Sequence, residues 1–172
     1  MTAPAPGQKP SPARAARIMT AADGYMDLGM FAQAGAELDS LAPEFRETPE
    51  ACSLRYRLAA GLKDWAGAME WSGRLMRLPR ESAELNIMHA YAVRRAVGIE
   101  QARAILLRAA GRFPDEPMIH YNLACYECRL GNLPLAEQYL SRAFALNAGF
   151  RKMAVEDEDL MPLWEKLKSS LS

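Results

Sequence analysis

The sequence predicts an all-α fold built from an array of helical hairpins. Two observations carry that expectation. Four alanines, Ala34, Ala68, Ala102 and Ala136, recur at a fixed step of 34 residues, a period in the range of stacked two-helix units. Other positions repeat in the same register. Three residues before each alanine stands a large apolar side chain: Phe31, Trp65, Ile99 and Leu133. Four after stand Leu38, Ser72, Leu106 and Leu140, and seven after stand Leu41, Leu75, Ala109 and Ala143. Offsets of four and seven share one helix face. Twelve before each alanine stand Ala22, Tyr56, Ala90 and Ala124. Alanine suits a place where two helices approach closely, so the four key alanines are expected at the crossing within each hairpin.

Taken in chain order, the elements follow. Residues 1–13 read as a disordered tail, because Pro/Ala-rich sequence buries too little surface to fold. The same prolines stand where a secretion signal needs an apolar stretch, so a cytoplasmic protein is expected. Residues 14–148 read as four hairpins, at about 15–46, 49–80, 82–114 and 117–148. Their helices are expected near 15–28 and 31–41, 50–62 and 65–78, 82–96 and 99–112, 117–130 and 133–146. Leu28-Gly29-Met30, Leu62-Lys63-Asp64, Val97-Gly98 and Leu130-Gly131-Asn132 mark the turns, where glycine or Asn/Asp accepts left-handed backbone. Ser82 is placed to start a helix, Pro114 to stop one, and Pro134 falls in a first helical turn. Residues 149–172 read as a capping segment. There Leu160, Leu163, Trp164, Leu167 and Leu171 form one apolar stripe behind the run Glu156-Asp157-Glu158-Asp159. The acidic run reads first as a helix start and second as a partner or metal site.

Composition narrows the function classes. At 172 residues the chain is expected to be one folding unit. Lys and Arg number 21, as do Asp and Glu, and this balance argues against a general nucleic-acid binder. No run of 18 apolar residues occurs, so no membrane span is expected.

The segment His120–Asn147 resembles a tetratricopeptide repeat. Leu123, Ala124, Gly131, Ala136, Leu140 and Ala143 stand where that family has Leu, a small residue, Gly, Ala, a large apolar residue and Ala. His120, Glu127 and Ala148 depart from its usual Trp, Tyr and Pro, and the second repeat departs at Lys63 and Ser72. The resemblance covers about residues 15–171 and extends to small bacterial proteins of this repeat type. It implies a right-handed α-solenoid that binds other proteins and needs no cofactor.

Four constellations could carry chemistry. Cys125-x-x-Cys128 has redox spacing but falls within a helix, and zinc would need more ligands from Cys52, His89 or His120. Packing is the first reading and metal or redox chemistry the second. The two histidines have no nucleophile or phosphate loop beside them, so no enzyme is expected. Met26, Met30, Met69, Met76, Met88 and Met118 read as core or as an adaptable surface. The resemblance also implies a groove lined by first helices. By register it receives Arg57, Tyr91, Arg94, Arg95, Tyr121 and Arg129, with Asp23 and Asp27 in the first repeat. Such arginines and tyrosines suit an acidic or C-terminal peptide, and the competing reading is a solvated face of internal ion pairs. The Lys and Asn pattern by which co-chaperone repeats clamp carboxylates is not matched. The expected function is a protein-interaction scaffold or adaptor that binds a peptide or partner segment. The alternatives are a chaperone for a secreted client, or a metal or redox protein using Cys125 and Cys128.

Overall fold

The computed structural model describes residues 11–79 and 81–169. Among them are ten α-helices, two short 3₁₀ segments and no strand. Of the tail expected over residues 1–13, residues 1–10 lie outside the described residues, and Pro12 and Ala13 already belong to the first helix. Proline fits there because its fixed φ suits a first turn and its missing N–H has no partner to lose. Contacts divide the chain into two compact units after Pro79, where length alone suggested one.

The first unit holds two hairpins: α1 (Pro12–Asp27) with α2 (Phe31–Asp39), and α3 (Pro49–Gly61) with α4 (Trp65–Leu75). A 3₁₀ turn at Pro43–Phe45 links them. Thr48 caps α3 by accepting the Ala51 N–H at 3.3 Å, and Asp64 caps α4 by accepting the Gly67 N–H at 3.0 Å. The two hairpin turns use the same left-handed residue position with different chemistry. Gly29 has φ +71° and Lys63 has φ +58°, so the second turn carries strain that the first avoids. Ala34, Leu38 and Ala68 are each 0% exposed. Ser72, where a large apolar residue is usual, is also buried, and its hydroxyl donates to Ala68 O at 2.8 Å. That bond within the helix removes the cost of a bare buried hydroxyl.

The second unit holds α5 (Ala83–Ala96) with α6 (Ile99–Arg112), then α7 (Pro117–Arg129) with α8 (Leu133–Leu146). Ser82 caps α5 through the Leu85 N–H at 3.2 Å. Ala102 and Ala136 are 0% exposed, like their counterparts in the first unit. α7 is buried nearly all round, from Ile119 to Cys128 with Asn122 excepted. It packs on α8, α6 and α5, and the chain beyond α8 covers it further. That chain forms α9 (Phe150–Ala154), a 3₁₀ segment at Glu158–Leu163, and α10 (Trp164–Ser169). The single amphipathic helix expected there is broken. Pro162 lies inside the 3₁₀ segment, and proline cannot supply the N–H that a continuous helix needs. Leu160 and Leu163 are buried, Trp164 and Leu167 are half-buried, and Leu171 lies outside the described residues.

Candidate partner-binding site

The six residues expected to line a groove do not all present themselves to solvent. Arg57, on α3 of the first unit, pairs with Asp23 and, at 3.0 Å, with Asp27, both on α1. Asp23 and Arg57 occupy the same repeat position 34 residues apart, so neighbouring first helices bring them side by side. Arg57 and Asp23 are about half exposed and Asp27 more so, and such surface pairs contribute about 0–1 kcal/mol. The other five residues belong to α5 and α7 of the second unit.

Three of those five converge on the C-terminal segment. Arg94 makes a two-pronged contact with Asp159, at 2.6 Å and 2.8 Å. Its guanidinium also lies over the Tyr126 ring, 5.1 Å from the centroid. Arg129 Nε stands 3.7 Å from the same carboxylate. Tyr121 donates its hydroxyl to Asp157 at 2.9 Å, and its ring tilts against Phe150 at 5.0 Å. Cys125 Sγ donates to that same Asp157 oxygen at 3.6 Å. Asp157 also accepts the Asp159 N–H at 3.0 Å, and the Trp164 indole N–H donates to the Asp157 carbonyl at 3.1 Å. The acidic run therefore starts a helical segment, as expected, and its carboxylates also bind α5 and α7. The expectation of one accessible patch is corrected in particular for Tyr121, which is 3% exposed. It is buried because Asp157 and Phe150 fill the space in front of it. Tyr91 and Arg95 stay exposed on α5, with the Arg95 guanidinium 6.0 Å from the Tyr91 centroid.

Burial sets the protonation chemistry of this cluster. The Cys125 thiol is pushed far up, first by burial and then by the Asp157 and Asp159 charges. Burial leads the rise of the Tyr121 hydroxyl, with Cys125 and Asp157 adding to it. Burial likewise raises Tyr126 to about 12 and lifts the Cys128 thiol. For Arg94 burial works against the charge, and the Asp159 hydrogen bond and field outweigh it. Cys125 and Tyr121 are therefore protonated donors at neutral pH. A reactive cysteine needs the reverse, an electropositive and partly exposed setting that stabilises thiolate.

Among the described residues, possible metal-ligand atoms converge at Cys125, Asp157 and Asp159, all within 4.8 Å of one another. Cys128 is not among them. The cationic role at this point belongs to Arg94.

Three further features stand outside these expectations. Glu127 is 0% exposed. It is paired with Arg103 of α6 and accepts the Asn132 side-chain N–H at 2.8 Å. At the position where the repeat pattern has tyrosine, α7 therefore holds a buried, paired carboxylate. His120 shares an Nε2 hydrogen bond with Pro114 O at 2.8 Å and stacks on Tyr139. In the first unit the guanidinium groups of Arg55 and Arg74 both lie over the Trp71 ring, 5.6 Å and 4.3 Å from its centroid. The sequence signal for the first was a lone acid in an otherwise apolar helix. The stacking of Trp71 left no such signal.

No family profile matches the chain, and no curated protein matches it significantly. Solved structures do. One is the crystal structure of YrrB, described as a TPR protein with an unusual peptide-binding site. It is 14% identical, with a TM-score of 0.66, over 89% of this chain and 84% of that one. The chain has the all-α helical-hairpin fold of tetratricopeptide-repeat proteins. No helix among the described residues is long and apolar enough to cross a membrane.

Proposed function

We propose that the chain is a protein-interaction scaffold that binds a peptide or partner segment through the first helices of its hairpins, without catalysis. One observation supports this above the rest. Arg94, Arg129 and Tyr121 already hold two carboxylates at the start of a short 3₁₀ segment of this chain, which is the chemistry an acidic partner segment would present. The fold is also that of a protein described as having a peptide-binding site. Tyr91, Arg95 and Arg129 offer exposed aromatic and basic surface beside the occupied part of the face. In the first unit, Arg57 offers a half-exposed guanidinium with its acids. Three free, buried cysteines suit a reducing cytoplasm, bacterial by resemblance.

The test is affinity capture from the native cell, followed by measurement of the purified partner. Parent protein is compared with the Arg95→Ala/Arg129→Ala variant. The variant should bind at least about tenfold more weakly, and its affinity should depend less on salt, because charge-assisted contacts are lost. A partner that binds both proteins equally, with the same salt dependence, overturns the reading.

A further inference from the structure

We propose that the α5–α7 face is a receptor for an acid–x–acid–apolar segment on a partner protein, and that residues 157–160 of the chain itself are the competing occupant. The proposal rests on the scaffold reading above and names the kind of segment that site takes.

The recognition pattern is read from how the internal segment sits. Asp157 and Asp159 point at the face, where Tyr121 and Cys125 donate to the first and Arg94 grips the second with both prongs. Glu158 between them is exposed. Leu160, next in sequence, is 0% exposed. Two carboxylates two residues apart, then a buried leucine, make a short address that another protein could carry. Leu160 and Leu163 exclude water from the face, while its tyrosine hydroxyl and arginine call for acceptors that apolar side chains cannot supply. The arginine fork and the tyrosine hydroxyl do something more specific. They fix planar carboxylates in direction and spacing.

The internal segment is held over a short length. Anchoring runs from Phe150 and Ala154 of α9 through Asp157 to Leu163, and α10 beyond it has no buried residue. Met161 is 59% exposed, and Lys166 meets Glu137 in a solvent-facing pair at 2.6 Å. A tethered occupant of this kind competes through its effective concentration, on the order of millimolar for a short link. A face with intrinsic affinity of about 10–100 μM would then appear about 10–100-fold weaker to a free segment. A partner brings its own segment in by mass action, and the chain's segment leaves the face.

The test uses full-length protein and a fluorescein-labelled synthetic peptide, VEDEDLMPLWEK, copied from residues 155–166. Asp157→Asn/Asp159→Asn weakens the internal occupant by its carboxylates. Leu160→Asp weakens it by its apolar anchor, which keeps the test open if the first variant folds poorly. Both should bind the peptide about 10–100-fold more tightly than the parent. Adding Arg94→Ala to either should return binding to the parent's level, and a peptide with both aspartates replaced by asparagine should not bind. The proposal is overturned if neither released variant gains affinity, or if Arg94→Ala leaves the gain intact. Failure here alongside a native partner that needs Arg95 and Arg129 removes the competitor and leaves the scaffold reading standing. A gain in peptide affinity, with a partner indifferent to those two residues, does the opposite.

Discussion

Removing either member of the Arg103–Glu127 pair should cost different amounts, and the difference follows from burial. Glu127 is 0% exposed, whereas the Arg103 side chain is 32% exposed. Arg103→Ala leaves a fully enclosed carboxylate whose remaining side-chain donor is Asn132 at 2.8 Å. Stranding a buried charge in this way costs about 3–5 kcal/mol. Glu127→Ala leaves a guanidinium that reaches water on its open side. It forfeits a charge-assisted hydrogen bond and the Asn132 bond, while the desolvation of the carboxylate is also relieved. The net cost is about 1–3 kcal/mol. The double variant should therefore resemble Glu127→Ala alone and fall well short of the sum of the two singles. The assay is urea denaturation of the full chain followed by circular dichroism, with midpoints and slopes compared across the four proteins. A Glu127→Ala loss equal to or larger than the Arg103→Ala loss would refute the reasoning, as would simple additivity.

Three further outcomes are expected. Ala136→Phe places a ring at a helix crossing that is 0% exposed and should lower stability by about 1–3 kcal/mol in the same denaturation assay. Lys63→Gly removes a non-glycine residue from φ +58°. After the entropy cost of glycine is subtracted it should raise the thermal midpoint by about 1–4 °C, as read by calorimetry. Stability should fall as pH rises above the ordinary thiol value of 9.0, because the unfolded Cys125 loses its proton while the folded one keeps it. This contribution is complete below that value and is lost with a slope approaching about 1.4 kcal/mol per pH unit. Cys125→Ala should flatten the decline seen in urea titrations at successive pH values, and an unchanged slope would count against burial as the cause.

The hairpins were legible because their determinants are local and repeat. Alanine at each crossing, a turn residue two before Phe31, Trp65, or Leu133, and apolar side chains at offsets of four and seven all lie within one helix pair. The pairing of Arg57 with Asp23 was legible too, in hindsight of physics alone. Residues at one repeat position in successive first helices become neighbours, and one is basic while the other is acidic. The division after Pro79 was not legible, since length and composition say nothing about where contacts thin out along a chain of repeated hairpins. Nor was the contact between Arg94 and Asp159, which are 65 residues apart. Asp159 belongs to the segment where the repeat ends, so no register relates it to α5.

One signal in α7 did bear on that contact. On the face where the earlier first helices carry Asp23, Asp27 and Arg57, α7 carries Tyr121, Cys125 and Cys128. Free cysteine is among the most consistently buried residue types, so a cysteine pair on a nominally open face says that something covers it. The covering segment must satisfy a tyrosine hydroxyl and an arginine as well as exclude water, which an aliphatic stripe alone cannot do. The nearest stretch in sequence that combines acceptors with apolar anchors is Asp157-Glu158-Asp159-Leu160. Carboxylates at this place suit a helix start, and Asp157 does start a segment. One carboxylate has two oxygens, however, and capping uses only one. The second oxygen of Asp157 and both oxygens of Asp159 remained available to α7 and α5, and that spare accepting capacity joins the end of the chain to the face of its own last repeats.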